Sequence, residues 1–149
     1  MSRRGTELME RAGRQLSEVK ELFATLSEDD LLQPCTGGQA GDTVGALAAH
    51  IAEGYHRLGR LLPDTAHAHA AGHTRPERPA PMTVPDLIRR LADAEVPISR
   101  LADLTADQLD SMTPPIPHIS DASRTLGQVV EEVIAHQAGH LATLRQAVA

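Results

Sequence analysis

Apolar residues recur at spacings of three and four along most of this chain, with no stretch that alternates as a strand would. Leu8, Ala12, Leu16, Val19, Phe23 and Leu26 draw one such stripe and predict an amphipathic helix over residues 6–26. A second helix, capped by Asp42 or Thr43, runs to about Leu62 with Leu47, Ile51, Gly54, Leu58 and Leu61 on its apolar face. Thr83 with Asp86 forms a capping-box pattern that opens a third helix at Val84, with Leu87, Leu91, Ala94, Ile98 and Leu101 facing inward. Pro97 lies inside this helix, removes a backbone donor and predicts a kink. Thr125 with Gln128 repeats the capping box and opens a fourth helix that continues to the end of the chain. Its expected buried stripe is Val129, Val133, His136, His140, Leu144 and Ala147.

The connections are rich in breakers. Residues 63–82 are dense in proline, alanine and histidine and lack helical periodicity, so they read as a long connection. The two halves also echo each other. Leu26-Ser27-Glu28-Asp29-Asp30-Leu31 is matched by Leu104-Thr105-Ala106-Asp107-Gln108-Leu109, and Thr43-Val44-Gly45 by Thr125-Leu126-Gly127. Each half is then a helix, a short turn, a proline-bearing loop and a second helix, as duplication of a helical hairpin would leave it. Four helices and no strands predict an all-α four-helix bundle, a single domain over residues 1–149.

Two histidines interrupt the apolar pattern of the fourth helix. His136 and His140 stand one turn apart, so both imidazoles can turn toward one point. His50, on the second helix, can supply a third nitrogen. Whether it does depends on direction. If the second and fourth helices ran parallel from a common level, the histidines would miss by roughly six residues, or about 9 Å. Antiparallel, His50 near the start of one helix comes level with His140 near the end of the other. That requires an up-down-down-up order with a long crossover between the second and third helices. Residues 63–82 can span up to about 66 Å, ample for a bundle about 30 Å long. Ligands on a single zinc would then place the three imidazoles within about 4 Å of one another.

Composition limits what such a site would serve. A chain of 149 residues with 41% hydrophobic and 23% charged residues can bury a full core. The net charge of −6 and the near absence of aromatics argue against nucleic acid as a partner. No apolar run approaches the length of a membrane span, and the first residues lack an apolar signal core, so no membrane partner and a cytoplasmic location are expected. Cys35 is the only cysteine, which rules out an intrachain disulfide, and its turn-rich surroundings read as an exposed loop thiol. Glu132, one turn before His136, and Glu53, three residues after His50, are the carboxylates best placed to orient a ligand or accept a proton. His67, His69 and His73 fall in the long connection, where ordering a metal site would cost chain entropy, and His56 and His118 have no partner in the pattern.

The histidine after the Thr-Val opening of the second helix, the H-x-x-x-H near the end of the fourth, and four helices of this length together resemble the DinB-like (YfiT-like) family. The resemblance covers nearly the whole chain. It implies the up-down-down-up bundle, a divalent metal, usually zinc or nickel, on His50, His136 and His140, and a possible homodimer. Many members carry a tryptophan just before the helix opening where this chain has Asp42. The family includes transferases that use bacillithiol or mycothiol. Thirteen arginines against the single Lys20 suit a GC-rich, actinobacterial source, and with it mycothiol as co-substrate. The expected activity is therefore S-transfer from a low-molecular-weight thiol to a small molecule, or hydrolysis by activated water. The competing expectation is a non-catalytic bundle that binds an apolar ligand or a protein, with the histidines as buried polar packing.

Overall fold

The computed structural model describes residues 2–35, 43–62, 83–113 and 123–149. Seven α-helices and one 3-10 turn are found among them: α1 (Arg3–Ala24), α2 (Glu28–Leu31), α3 (Val44–Leu61), α4 (Val84–Asp93), α5 (Glu95–Arg100), the 3-10 turn Leu101–Asp103, α6 (Ala106–Asp110) and α7 (Leu126–Val148). The long connection 63–82, with His67, His69 and His73, lies outside the described residues, as do Asp42 and His118.

Local chemistry sets most of the boundaries. α1 begins at Arg3 rather than residue 6 because the Ser2 hydroxyl accepts from the Gly5 amide and satisfies an otherwise orphaned donor. It ends before residue 26 because Ser27 starts α2 with a reciprocal capping box to Asp30. The anticipated third helix is broken at Ala94 into α4 and α5. Pro97 has no amide to give the Asp93 carbonyl and its ring crowds that carbonyl, so the ladder is interrupted where the kink was expected.

The echo between the halves has a structural counterpart. Thr105 caps α6 in a capping box with Gln108, as Ser27 caps α2 with Asp30. The turns expected at 26–31 and 104–109 are thus short helices. In each half the closing leucine packs on the glycine of the next long helix: a Cβ on Gly45 would lie 3.0 Å from the Leu31 carbonyl oxygen, and one on Gly127 would lie 3.2 Å from that of Leu109. Val44 N donates to Gln33 O and Leu126 N to Ser111 O, closing both turns in the same way.

Four long helical runs, α1, α3, α4–α5 and α7, pack side by side. Their directions follow from the order of their contacts. Along α1 and α7, Arg11 meets Glu131, Gln15 meets Ile134 and Glu18 meets Arg145, so these two run the same way. Ser2 bonds to Leu104 and Lys20 to Glu95, so α1 opposes α4–α5. Glu53 meets Arg90, and further along Gly59 faces Pro97, so α3 and α4–α5 are parallel. The resulting order is up-down-down-up.

The core is aliphatic, with the two aromatic residues Phe23 and Tyr55 fully buried in it. Cys35 also joins this cluster, at 4% exposure, and is not the exposed thiol its turn-rich surroundings suggested. Pro34, next to it in the chain, forms an antiparallel bridge with Thr43 at the start of α3. A short polar chain crosses the core: Tyr55 donates to Gln15 Oε1 at 2.6 Å, and Gln15 Nε2 donates to the Ile134 carbonyl at 2.9 Å. Both groups are therefore partnered despite full burial. No described helix is long and apolar enough to cross a membrane.

Candidate metal centre

Among the described residues α3 and α7 form the most extensive helix pairing, and the histidines lie on it. Thr43 starts α3 and Thr125 starts α7 through side-chain caps, which fixes the level at which each helix delivers its histidines. The two helices run in opposite directions: His50 stacks against His140, while Gly54, one turn on, meets Gln137, nearly one turn back. This is the geometry the three-histidine expectation required.

The ligand nitrogens of His50, His136 and His140 all lie within 4.8 Å of one another. The Nε2 atoms of His136 and His140 lie 2.9 Å apart, one donating to the other. The rings are close to perpendicular: His140 lies edge-on to His50 at 4.7 Å and to His136 at 4.3 Å between centroids. The spread is wider than the anticipated 4 Å. The donor set, three imidazoles and no thiolate, suits zinc, nickel, copper or iron.

The buried face of α7 is turned slightly from the one anticipated. Val130, Ile134, Gln137, Leu141 and Leu144 are buried, whereas His136 is exposed and Val133 and Ala147 are only half-buried. The histidines therefore stand at the margin of the core, with His140 buried, His50 half-buried and His136 open to solvent. The cause is Gln137. Its Nε2 donates to the Ile51 carbonyl at 2.6 Å, and its amide occupies the space that a side chain at position 54 would need. Gln137 sits between the two histidines in sequence and locks α7 to α3 beside them. Its polarity hid it among candidate core positions.

That rotation opens a cleft of about 570 Å³ whose lining includes His50, His136, Arg57, Glu132, Val129 and Val133. The volume is in the range of small-molecule sites. Glu132 lies seven residues after the Thr125 cap, as His50 lies seven after Thr43, so the two repeats send a carboxylate and an imidazole into one cleft. Glu132 is ion-paired with Arg124 at the start of α7. Glu53 has a different place: it pairs with Arg90 of α4 at 2.6 Å and is not among the residues lining the cleft. His56 lies on the same side and donates from Nε2 to the Arg90 carbonyl at 2.9 Å. That carbonyl lacks its helical partner because the Ala94 amide turns to Leu91 at the α4 break. Arg57 was not singled out in the sequence, although its position two turns beyond His50 puts it on the same face.

Burial lowers the His140 pKa from its ordinary 6.5 to about 4, and the neighbouring charges of His136, His50 and Arg57 push it the same way. Between pH 6.5 and about 4 the unfolded chain binds a proton here that the folded chain does not. Stability of the metal-free protein therefore falls as pH drops through that window, and the His140 contribution levels off below it. Urea midpoints at pH 7, 5.5 and 4 should decline in that order, with a shallower decline in His140→Ala. Equal slopes in the two proteins would contradict the assignment.

A family model described as the DinB superfamily matches residues 11–144. The chain belongs to the DinB superfamily. No curated protein and no solved structure shows significant similarity to it. Membership agrees with the all-α fold and with the histidine triad as a candidate metal site.

Proposed function

We propose that this DinB-superfamily chain is a metal-dependent enzyme acting on a small molecule, with one divalent cation, zinc or nickel, held by His50, His136 and His140. The observation that carries this reading is the convergence of three imidazoles from two helices at the edge of an open cleft. Three protein ligands leave a coordination position for water or substrate, the arrangement of a catalytic rather than a structural site. A cation held there supplies the Lewis acidity that makes a thiol or a water nucleophilic at neutral pH.

The side chains around it supply the rest. His140, with its pKa lowered to about 4, stays neutral and able to ligate at physiological pH. Glu132 lines the same cleft and can take the proton released by the nucleophile, with Arg124 holding its carboxylate in place. Val129 and Val133 exclude water from one wall. The reaction is S-transfer from a low-molecular-weight thiol such as mycothiol to an electrophilic small molecule, or hydrolysis where water takes the thiol's place.

A second reading, a non-catalytic bundle with the histidines as polar packing, draws on the His136–His140 hydrogen bond, which already partners two of the three rings. One experiment separates them. Metal-stripped protein is titrated with zinc and with nickel, and consumption of mycothiol by a chloronitrobenzene electrophile is then followed with and without metal. The enzyme reading expects one tightly held cation per chain and metal-dependent thiol loss or, for a hydrolase, metal-dependent ester cleavage. Protein that retains no cation supports the packing reading.

A further inference from the structure

His50 and the pair His136 and His140 ride on different helices, so whether they meet depends on the register of α7 against α3. A slip of one residue moves a ligand about 1.5 Å along the helix axis, whereas a metal site tolerates about 0.2 Å in each ligand distance. Apolar contacts between the helices are non-directional and do not hold register that finely. A buried hydrogen bond does. Gln137 lies between His136 and His140 in sequence, is 2% exposed, and donates from Nε2 at 2.6 Å to the carbonyl of Ile51, the chain neighbour of His50. Its amide lies across Gly54, where a side chain would take the room it occupies. One bond thus ties the backbone beside one ligand to the side chain between the other two. A second link, from Tyr55 through Gln15 to the Ile134 carbonyl, joins α3 to α7 by way of α1 and adjoins none of the three ligands.

We propose that Gln137 is a positioning residue for the metal centre: its bond to Ile51 sets the span between His50 and the His136–His140 pair, and metal affinity depends on it more than stability does. In the helical ladder of α3 the Ile51 carbonyl also accepts from the Tyr55 amide, so loss of the Gln137 donor orphans no group there. The second link behaves in the opposite way. Removing the Tyr55 hydroxyl strips Gln15 Oε1 of its donor inside the core, which costs stability at a distance from the ligands. The inference rests on the metal reading above, but the placement of the rings that it explains does not itself require a cation.

The test compares zinc affinity and thermal unfolding in the full chain and in three variants. Gln137→Met keeps a side chain of similar length but cannot donate, Gln137→Ala only empties space, and Tyr55→Phe cuts the second link. Gln137→Met should bind zinc at least about tenfold more weakly than the wild-type chain, the loss seen when groups that orient metal ligands are removed, while its unfolding midpoint stays close to the original. Gln137→Ala and Tyr55→Phe should both unfold earlier, yet only the first should lose zinc affinity. Zinc binding as tight as wild type in both Gln137 variants overturns the proposal. So does an affinity that follows stability alike in Gln137→Ala and Tyr55→Phe, because Gln137 would then act only as packing. A wild-type chain that binds no zinc would sink the metal reading, and the positioning role is then decided in the metal-free proteins. There, nuclear Overhauser contacts between the His50 and His140 rings should be present in the wild type and in Tyr55→Phe and lost in the Gln137 variants. Contacts that persist in those variants overturn it.

Discussion

His140→Ala should abolish tight binding of a divalent cation. His140 is the ring that touches both of the others, edge-on to His50 at 4.7 Å and to His136 at 4.3 Å. Removing it leaves two ligands on different helices with nothing between them. Even groups that only orient a metal ligand cost about 10- to 100-fold in affinity when mutated, and loss of a ligand itself should exceed that. The fold should survive. The deleted ring is desolvated and has its charged form disfavoured, so the apo protein loses packing but sheds a group that is costly to protonate. The measurement pairs zinc titration with thermal unfolding. In the wild-type protein excess zinc should raise the unfolding temperature, because a ligand bound only by the folded state stabilises it. In His140→Ala the shift should vanish while the metal-free melting curve stays cooperative. A shift of equal size in both proteins would mean that zinc binds somewhere else.

Gly54→Ala should disturb the same site from behind. A Cβ at position 54 would stand 2.5 Å from Gln137 Nε2, 2.6 Å from its Cδ and 2.7 Å from Oε1. The amide must move, yet it is 2% exposed and tied to the Ile51 carbonyl, so it cannot swing into solvent without giving up that bond. Overpacking of this kind costs about 1–3 kcal/mol. An orphaned buried amide adds a comparable penalty of about 1–3 kcal/mol where it finds no new partner. Because Gln137 lies between His136 and His140, the displacement also moves α7 relative to His50, and zinc affinity should fall with stability. The double variant Gly54→Ala/Gln137→Ala tests the cause. If the clash is the source, the double variant should be less destabilised than the sum of the singles, since the added methyl occupies room the amide vacated. Additive effects would show that Gly54 matters for some other reason.

These two residues also mark the limit of what periodicity conveys. The helices were legible because their signals are local: Thr83 with Asp86 and Thr125 with Gln128 make the capping boxes their spacing suggests, and Pro97 breaks the helix that contains it. The α3 stripe of Leu47, Ile51, Gly54, Leu58 and Leu61 is buried as drawn. The α7 stripe is not. Apolar and small residues on that helix permit two neighbouring lines of contact, and the sequence favoured the one through Val133 and His136. The packed helix uses the one through Ile134 and Gln137, because a glutamine can be a core residue when a glycine and a free lone pair on a carbonyl stand opposite it. No local pattern announces such a pairing, since Gly54 and Gln137 are 83 positions apart. The same holds for Gln15 and Tyr55, which are polar groups made buriable only by each other and by α7.

The sequence by itself determined the all-α class, the caps at Thr43, Thr83 and Thr125, the break at Pro97, and which three histidines come together, because each depends on spacing within one helix or on levels counted from helix starts. Tertiary structure alone decided how the triad is exposed. The α3–α7 contact turns His140 into the core and His136 toward solvent, and opens beside them a cleft that takes in Arg57 and Glu132 while Glu53 pairs with Arg90. The reason is rotational. Spacing along a helix fixes which residues share a face, but the direction in which that face points is set by the side chains of the helix it packs against.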